Sequence, residues 1–191
     1  MPATALDPKT ALVVIDFQKG IAAVPTVHPM KEMAARAGQL AAAFRAASLP
    51  VIWVNVSFHP DEGDKLANRT DVVMRASFPP GFDELMDELG VQPGDLRITK
   101  RQPNAFHGTE LDLQLRRRGI TGIVLCGVST SVGVDSTARA AHERGYNVTF
   151  ALDATTDRDP ELHEVISKKM FPRWGEVDSS DKIIALLPPA R

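Results

Sequence analysis

The sequence predicts an α/β domain in which a parallel sheet carries helices on both faces, and three observations point there. First, five runs of strand length, TALVVIDF (10–17), VIWVNV (51–56), LRITK (96–100), GIVLC (122–126) and NVTFAL (147–152), recur along the chain. Second, the first and fourth runs are apolar at consecutive rather than alternate positions, as suits strands buried on both faces. Third, the segments between strands carry helical periodicity, so successive strands join through crossovers that are right-handed by default and cover both faces.

Taken in order, the first strand ends at Asp16 and Phe17. From 30 to 47 the apolar positions Met33, Ala37, Leu40, Phe44 and Ala47 recur at spacings of three and four, which predicts a helix stopped near Ser48 and Pro50. The second strand (51–56) is followed by a long polar segment, 57–81, carrying His59, Asp61, Asp64 and Arg69 without a period; long loops in compact domains are often functional. A short helix is predicted at 82–89, ended by Gly90, and a QPGD turn leads into the third strand. The loop RQPNAFHG and a helix at 109–118 precede the fourth strand. A helix at 131–144 and the fifth strand (147–152) follow. Asp159 and Pro160 read as N-cap and first residue of a helix reaching Met170. A weak sixth strand near Glu176 and a helix at 181–187 complete the pattern.

The totals fit one domain spanning 1–191, since 191 residues with 43% apolar and 24% charged residues can bury a substantial core. The net charge of −2 and the absence of a basic, aromatic-interleaved patch argue against nucleic acid, and no apolar stretch reaches membrane-spanning length. One cysteine makes no internal disulfide, and the N-terminus MPATALDPKT lacks a signal peptide's apolar core, so a cytoplasmic location is expected.

In parallel α/β sheets ligands bind beyond the carboxyl ends of the strands, and this rule selects the candidate site. Asp16, Lys100, the break at Gly127 and Asp153 are predicted to end strands one, three, four and five, and so to meet at one edge. Asp16 follows four apolar residues, and apolar surroundings raise a carboxyl pKa toward general acid or base work; a solvated loop carboxylate is the alternative. Lys100, unremarkable alone, gains weight as its partner. The stretch GIVLCGVSTSVGVDSTARAAHERG (122–145) runs from buried strand through small and hydroxyl residues into a helix, a place suited to an anionic or oxyanionic group.

Asp16 in VVIDFQ, Lys100 followed by NAFHGTEL, and GVSTSVGVDSTARAAHERGYNVTFALDA together resemble the isochorismatase-like hydrolase superfamily, which includes nicotinamidases and other amidohydrolases. The similarity covers nearly the whole chain. It implies a six-stranded parallel sheet in a three-layer α/β/α arrangement, a homodimer or homotetramer, and a site built from an Asp, a Lys and a Cys. It also implies a cis peptide between Val128 and Ser129. Asp16 and Lys100 match. The catalytic Cys of the amidohydrolases falls six residues after the Gly of GV-x-T, and this chain has Gly133 there; true isochorismatases share that loss, and in them an Asp is thought to protonate a vinyl ether before water completes hydrolysis.

The resemblance therefore implies a hydrolase of a small organic substrate without a covalent thiol intermediate, with Asp16 as general acid or base alongside Lys100, and Gly133 at the vacated nucleophile position. Phe17, Gln18, Arg101, His107, Val128 and Ser129 are candidate substrate contacts. Arg75 is a further candidate to bind a carboxylate. Cys126 offers an alternative nucleophile, giving a cysteine amidase of nicotinamidase type, although a cysteine at the end of a buried strand is commonly a small core residue with an inert thiol. A non-catalytic ligand-binding homologue is the third reading. His59, Asp61 and Asp64 match a metal cluster only loosely and the nicotinamidase ligand pattern is not reproduced, so neither metal nor cofactor is expected. Asp135, Ser136 and Thr137 are explained by the first turns of a helix.

Overall fold

In the computed structural model, residues 2–71 and 78–189 are described. Six strands form one sheet: β1 (Thr10–Ile15), β2 (Val51–Val56), β3 (Leu96–Lys100), β4 (Gly122–Val128), β5 (Asn147–Thr156) and β6 (Glu176–Asp178). Their spatial order is β3-β2-β1-β4-β5-β6, and every neighbouring pair is parallel. The chain winds outward from β1 to β3, then returns to place β4 on the other side of β1. The order reverses between β1 and β4, and in sheets of this kind ligands bind outside the strands' carboxyl ends at such a reversal.

Two apolar layers enclose the sheet. Consecutive side chains on a strand point to opposite faces, so Leu12, Val14, Val124, Cys126 and Val128 go one way and Ala11, Val13, Ile15, Ile123 and Leu125 the other. The first set meets α2 (Met30–Ala46) through Met33, Ala37, Leu40 and Phe44, the predicted stripe, together with Ile183 of α7 (Ser180–Ala185). A four-residue helix, α1 (Lys19–Ala22), precedes α2. The second set meets α3 (Leu111–Arg117), α4 (Asp135–Glu143) and α6 (Phe171–Trp174) through Leu111, Leu115, Ala138, Ala141 and Phe171. No helix among the described residues is long and apolar enough to cross a membrane.

Several element expectations need correction. The helix expected at 82–89 is only a tight turn at Asp87–Leu89, because Leu85 instead makes an antiparallel bridge to Gln18. The helix expected from 131 begins at Asp135; Thr130–Val134 form one wide π-helical turn ahead of it. The helix from Pro160 runs as α5 (Pro160–Val165) and then widens at Ile166–Met170. Its start is as expected, with Asp159 Oδ1 accepting from the Glu161 and Leu162 amides at 2.9 and 3.0 Å.

The largest difference is in β5, which continues past Leu152 to Thr156. Its register against β4 passes from Leu125↔Phe150 to Gly127↔Thr155, so extra residues of β5 bulge out between them. Asp153 lies in that bulge rather than at the sheet's edge. There its carboxylate accepts from the Ser180 amide (2.7 Å) and hydroxyl (2.8 Å) at the start of α7 and from Arg36 of α2 (3.2 Å).

Candidate active site

β1 ends by turning sharply. Asp16 adopts φ 56°, a left-handed conformation uncommon outside glycine and more accessible to Asp than to most residues, while its amide still donates to Val54 O at 2.9 Å. The turn leaves its carboxyl buried at the carboxyl end of β1. Lys100 is the last residue of β3, and its buried ammonium donates to Asp16 Oδ2 at 2.7 Å. Asp16 Oδ1 is buried without a hydrogen-bond partner among the described residues. Burial raises the carboxyl's pKa above the ordinary carboxylate range, and the attraction and hydrogen bond of Lys100 only partly offset it.

The break after β4 closes the other side. Gly127 has φ 134°, and a Cβ there would lie 2.2 Å from Ile15 O, so β4 can run this close to β1 only with glycine. The Val128–Ser129 peptide is cis. The wide turn then brings Gly133 against the carboxyl: a Cβ on it would lie 3.3 Å from Asp16 Oδ2, 2.9 Å from Ile15 Cγ2 and 3.4 Å from Val128 O. Asp16, Lys100 and Gly133, far apart in sequence, are thus brought together. The break offers fewer free amides than its sequence suggests, because Val132 and Val134 donate to Ser129 O and Ser131 donates to Asp157 Oδ2.

The remaining candidates disperse. Phe17 and Val128 are buried in the layer beneath α2, so their side chains pack the core; of Val128 the carbonyl approaches Gly133. Gln18 is buried with its amide committed to the backbone: Nε2 donates to Val56 O (2.9 Å) and Phe82 O (3.2 Å), and Oε1 accepts from the Val56 amide (2.7 Å). It ties the end of β2 and the 82–86 segment to β1. Arg101 pairs with Asp64 at the surface, and the His107 ring is exposed. Ser129 is half-buried at the head of the break. Arg75 lies outside the described residues.

Asp135 is paired with Arg139 at 2.7 Å within the first turns of α4, and Thr137 Oγ1 accepts from the Ala105 amide at 3.1 Å, tying the NAFHG loop to that helix. Ser136 donates back to Val132 O. His59 Nδ1 contacts Asp61 Oδ1 at 2.9 Å, and its amide donates to Asp64, so these three residues form a surface turn. Cys126 is wholly buried and points to the α2 side of the sheet, whereas Gly133 approaches Ile15 on the α4 side. Burial pushes the Cys126 thiol far above its ordinary pKa.

Two residues that the sequence reading passed over support the break from behind. Asp157, buried after the true end of β5, accepts from the Ser131 amide at 2.7 Å and the Arg158 amide at 2.7 Å. His163 of α5 bonds through Nδ1 to the buried Thr130 hydroxyl at 2.7 Å. The available signal was the hydroxyl-and-acid string TTDRDP, which extends the strand and then caps a helix.

A family model for the isochorismatase domain matches residues 10–182. The isochorismatase family protein YwoC of Bacillus subtilis is 44% identical over 179 residues, covering 92% of this chain and 93% of its own. The ureidoacrylate amidohydrolase RutB of Methylobacterium radiotolerans is 31% identical over 189 residues, covering 83% of this chain and 72% of its own. Among solved structures, an isochorismatase family protein from Burkholderia thailandensis aligns with a TM-score of 0.93 at 43% identity, covering 96% of this chain and 97% of its own. N-carbamoylsarcosine amidase from Thermoplasma acidophilum aligns with a TM-score of 0.71 at 29% identity, covering 91% and 97%. With its six-stranded parallel sheet, whose strand order reverses between β1 and β4, the chain belongs to the isochorismatase family and is a hydrolase of that family.

Proposed function

We propose that the chain hydrolyses a small organic substrate without a covalent thiol intermediate, Asp16 serving as general acid or base and Lys100 holding it in place. The observation that carries this reading is the position of Gly133. Gly133 presents no side chain where a Cβ would lie 3.3 Å from Asp16 Oδ2, so the polar group nearest a substrate there is the carboxyl oxygen, beside the methyl of Ile15 Cγ2 at 2.9 Å. The chain's single cysteine lies on the opposite face of the sheet.

The electrostatics favour the acid role. A Lys beside a carboxyl opposes protonation, yet here burial outweighs it and keeps the proton bound to higher pH. Protonated Asp16 gives its proton to the substrate, water adds to the resulting electrophilic carbon and returns one proton to the carboxylate, and the tetrahedral adduct collapses, breaking the bond to the leaving group as the adduct's hydroxyl proton passes to it. Lys100 fixes Oδ2, the oxygen beside Gly133, throughout, and Oδ1, which has no partner among the described residues, is the oxygen free to carry the proton.

Substrate probes follow from the relatives' names. Ureidoacrylate and N-carbamoylsarcosine represent ureido acids, and an enol-ether acid represents the isochorismate type. Asp16→Asn keeps the side chain's shape and removes its proton chemistry, so turnover of whichever probe reacts should vanish; full activity in that variant would end the proposal. We further propose that the chain acts in the cytoplasm and assembles as a homodimer or homotetramer, as its family resemblance implies. Light scattering on the purified protein tests the assembly, and a monomer would overturn it.

A further inference from the structure

The break that presents Gly133 to Asp16 is held from the opposite side by two groups that no sequence motif had singled out. Thr130 and Ser131 are adjacent in the break. The Thr130 hydroxyl, wholly buried, is hydrogen-bonded to His163 Nδ1 at 2.7 Å, and the Ser131 amide donates to Asp157 Oδ2 at 2.7 Å. Asp157 is itself anchored, since its carbonyl accepts from the Val27 amide at 2.7 Å and its other carboxyl oxygen accepts from the Arg158 amide. His163 is braced edge-on by His28, with ring centroids 5.0 Å apart, and the His28 amide donates to Thr156 Oγ1 at the end of β5. Two consecutive residues are thus clamped from one side, while Gly133, two positions further on, abuts Ile15 and Asp16 on the other.

We propose that His163 and Asp157 are positioning residues for the hydrolytic site: through Thr130 and Ser131 they set how close the Gly133 backbone stands to the Asp16 carboxyl. This rests on Asp16 being the reacting group, but its geometry is independent of which substrate is used. A hydroxyl bonded to an imidazole is a short, directional link, and one side chain can reproduce half of it. The Asn amide places a polar atom where Nδ1 of His lies, whereas the Gln amide places one near Nε2, out of reach of Thr130.

The experiment reads the site itself. The Asp16 carboxyl is titrated by carbon-13 NMR, and the Val132 and Val134 amides, both bonded to Ser129 O, are followed by hydrogen exchange. In Thr130→Val and in His163→Gln the break relaxes away and water reaches the carboxyl. The Asp16 titration should then fall toward the ordinary carboxylate range by about half a pH unit or more. Exchange at the two amides should quicken about tenfold. His163→Asn should restore both. A loosened α5 alone would lower the melting temperature and leave the Asp16 titration where it was. That result in both Thr130→Val and His163→Gln would overturn the proposal, as would a failure of His163→Asn to restore the titration. The outcome is separable from the catalytic reading. If Asp16→Asn kept its activity while Thr130→Val moved the titration, the clamp would stand and the role of Asp16 would fall.

Discussion

The ammonium of Lys100 at the end of β3 reaches past β2 to hold Asp16 Oδ2 at 2.7 Å, so the two outer members of a three-strand step are joined at the sheet's carboxyl edge by one buried ion pair. Removing one partner of such a pair leaves a buried charge behind. Lys100→Met should therefore destabilise the fold by about 3–5 kcal/mol near neutral pH. Without the lysine the Asp16 pKa rises further, so the deficit should shrink as falling pH protonates the carboxyl. Urea denaturation at about pH 5 and about pH 8 checks the sign, the larger loss being expected at the higher pH.

The pH dependence of the enzyme itself follows from Asp16. Its folded pKa lies above the unfolded value of 3.8, so the carboxyl's contribution to stability is complete below that value and fades as pH rises through the folded one. The acid role makes the same demand on activity: kcat/KM should fall as pH rises through the Asp16 pKa. A pH profile that rises there instead would assign Asp16 as base.

Cys126→Ala should leave turnover unchanged and cost about 1 kcal/mol, since it removes one small buried atom and no chemistry. Iodoacetamide should neither label the folded protein nor inhibit it, because the thiol is buried and its pKa is pushed up. Mass spectrometry after incubation, paired with a rate measurement, decides this.

Two glycines should respond differently to alanine. At Gly127 the new methyl would meet backbone, Ile15 O at 2.2 Å, in a conformation that L residues rarely adopt; the fold should lose about 3 kcal/mol or more. At Gly133 the methyl meets the Ile15 side chain and the Asp16 carboxyl, so the fold should lose only about 1–3 kcal/mol while turnover collapses. Thermal melts and kcat on the same preparations separate the two.

Gln18→Ala should cost about 3 kcal/mol, because the Val56 amide and carbonyl would both lose the side chain that bonds them. Gln18→Glu loses the donors to both carbonyls and should be nearly as damaging. If either variant melted like the parent, the tie that Gln18 makes between β1, β2 and the 82–86 segment would be dispensable.

What the sequence could and could not disclose follows from the kind of signal each feature leaves. Consecutive apolar residues in β1 and β4 and the 3–4 spacing in α2 mark burial directly, so sheet and helices were legible. Asp16 was legible as a candidate because it follows an apolar run that ends in a change of polarity, and Lys100, the last residue of β3, only as a partner brought to the same sheet edge. The β5 bulge was not, since Asp153 interrupts an apolar run and looks like its end; its contacts with α7 and with Arg36 of α2 explain an acid within the strand. Gln18, Phe17 and Val128 were read as site residues from their nearness in sequence. A strand turns successive side chains to opposite faces, however, and an amide beside Asp16 can be spent on backbone. His163 and Asp157 act on the break from a later element, and no local pattern announces such a pairing.

Gly133 also limits how the site can change. Placing a thiol there by one substitution would drive its Cβ to 2.9 Å from Ile15 Cγ2, part of a β-branched side chain with little freedom to turn aside, and toward the Asp16 carboxyl. Gly133→Cys alone should yield a poorly reactive, destabilised protein, and Gly133→Cys with Ile15→Ala should gain alkylation by iodoacetamide. In this chain a step to a thiol beside Asp16 thus runs through two positions at once, and the single substitution is worse than either end.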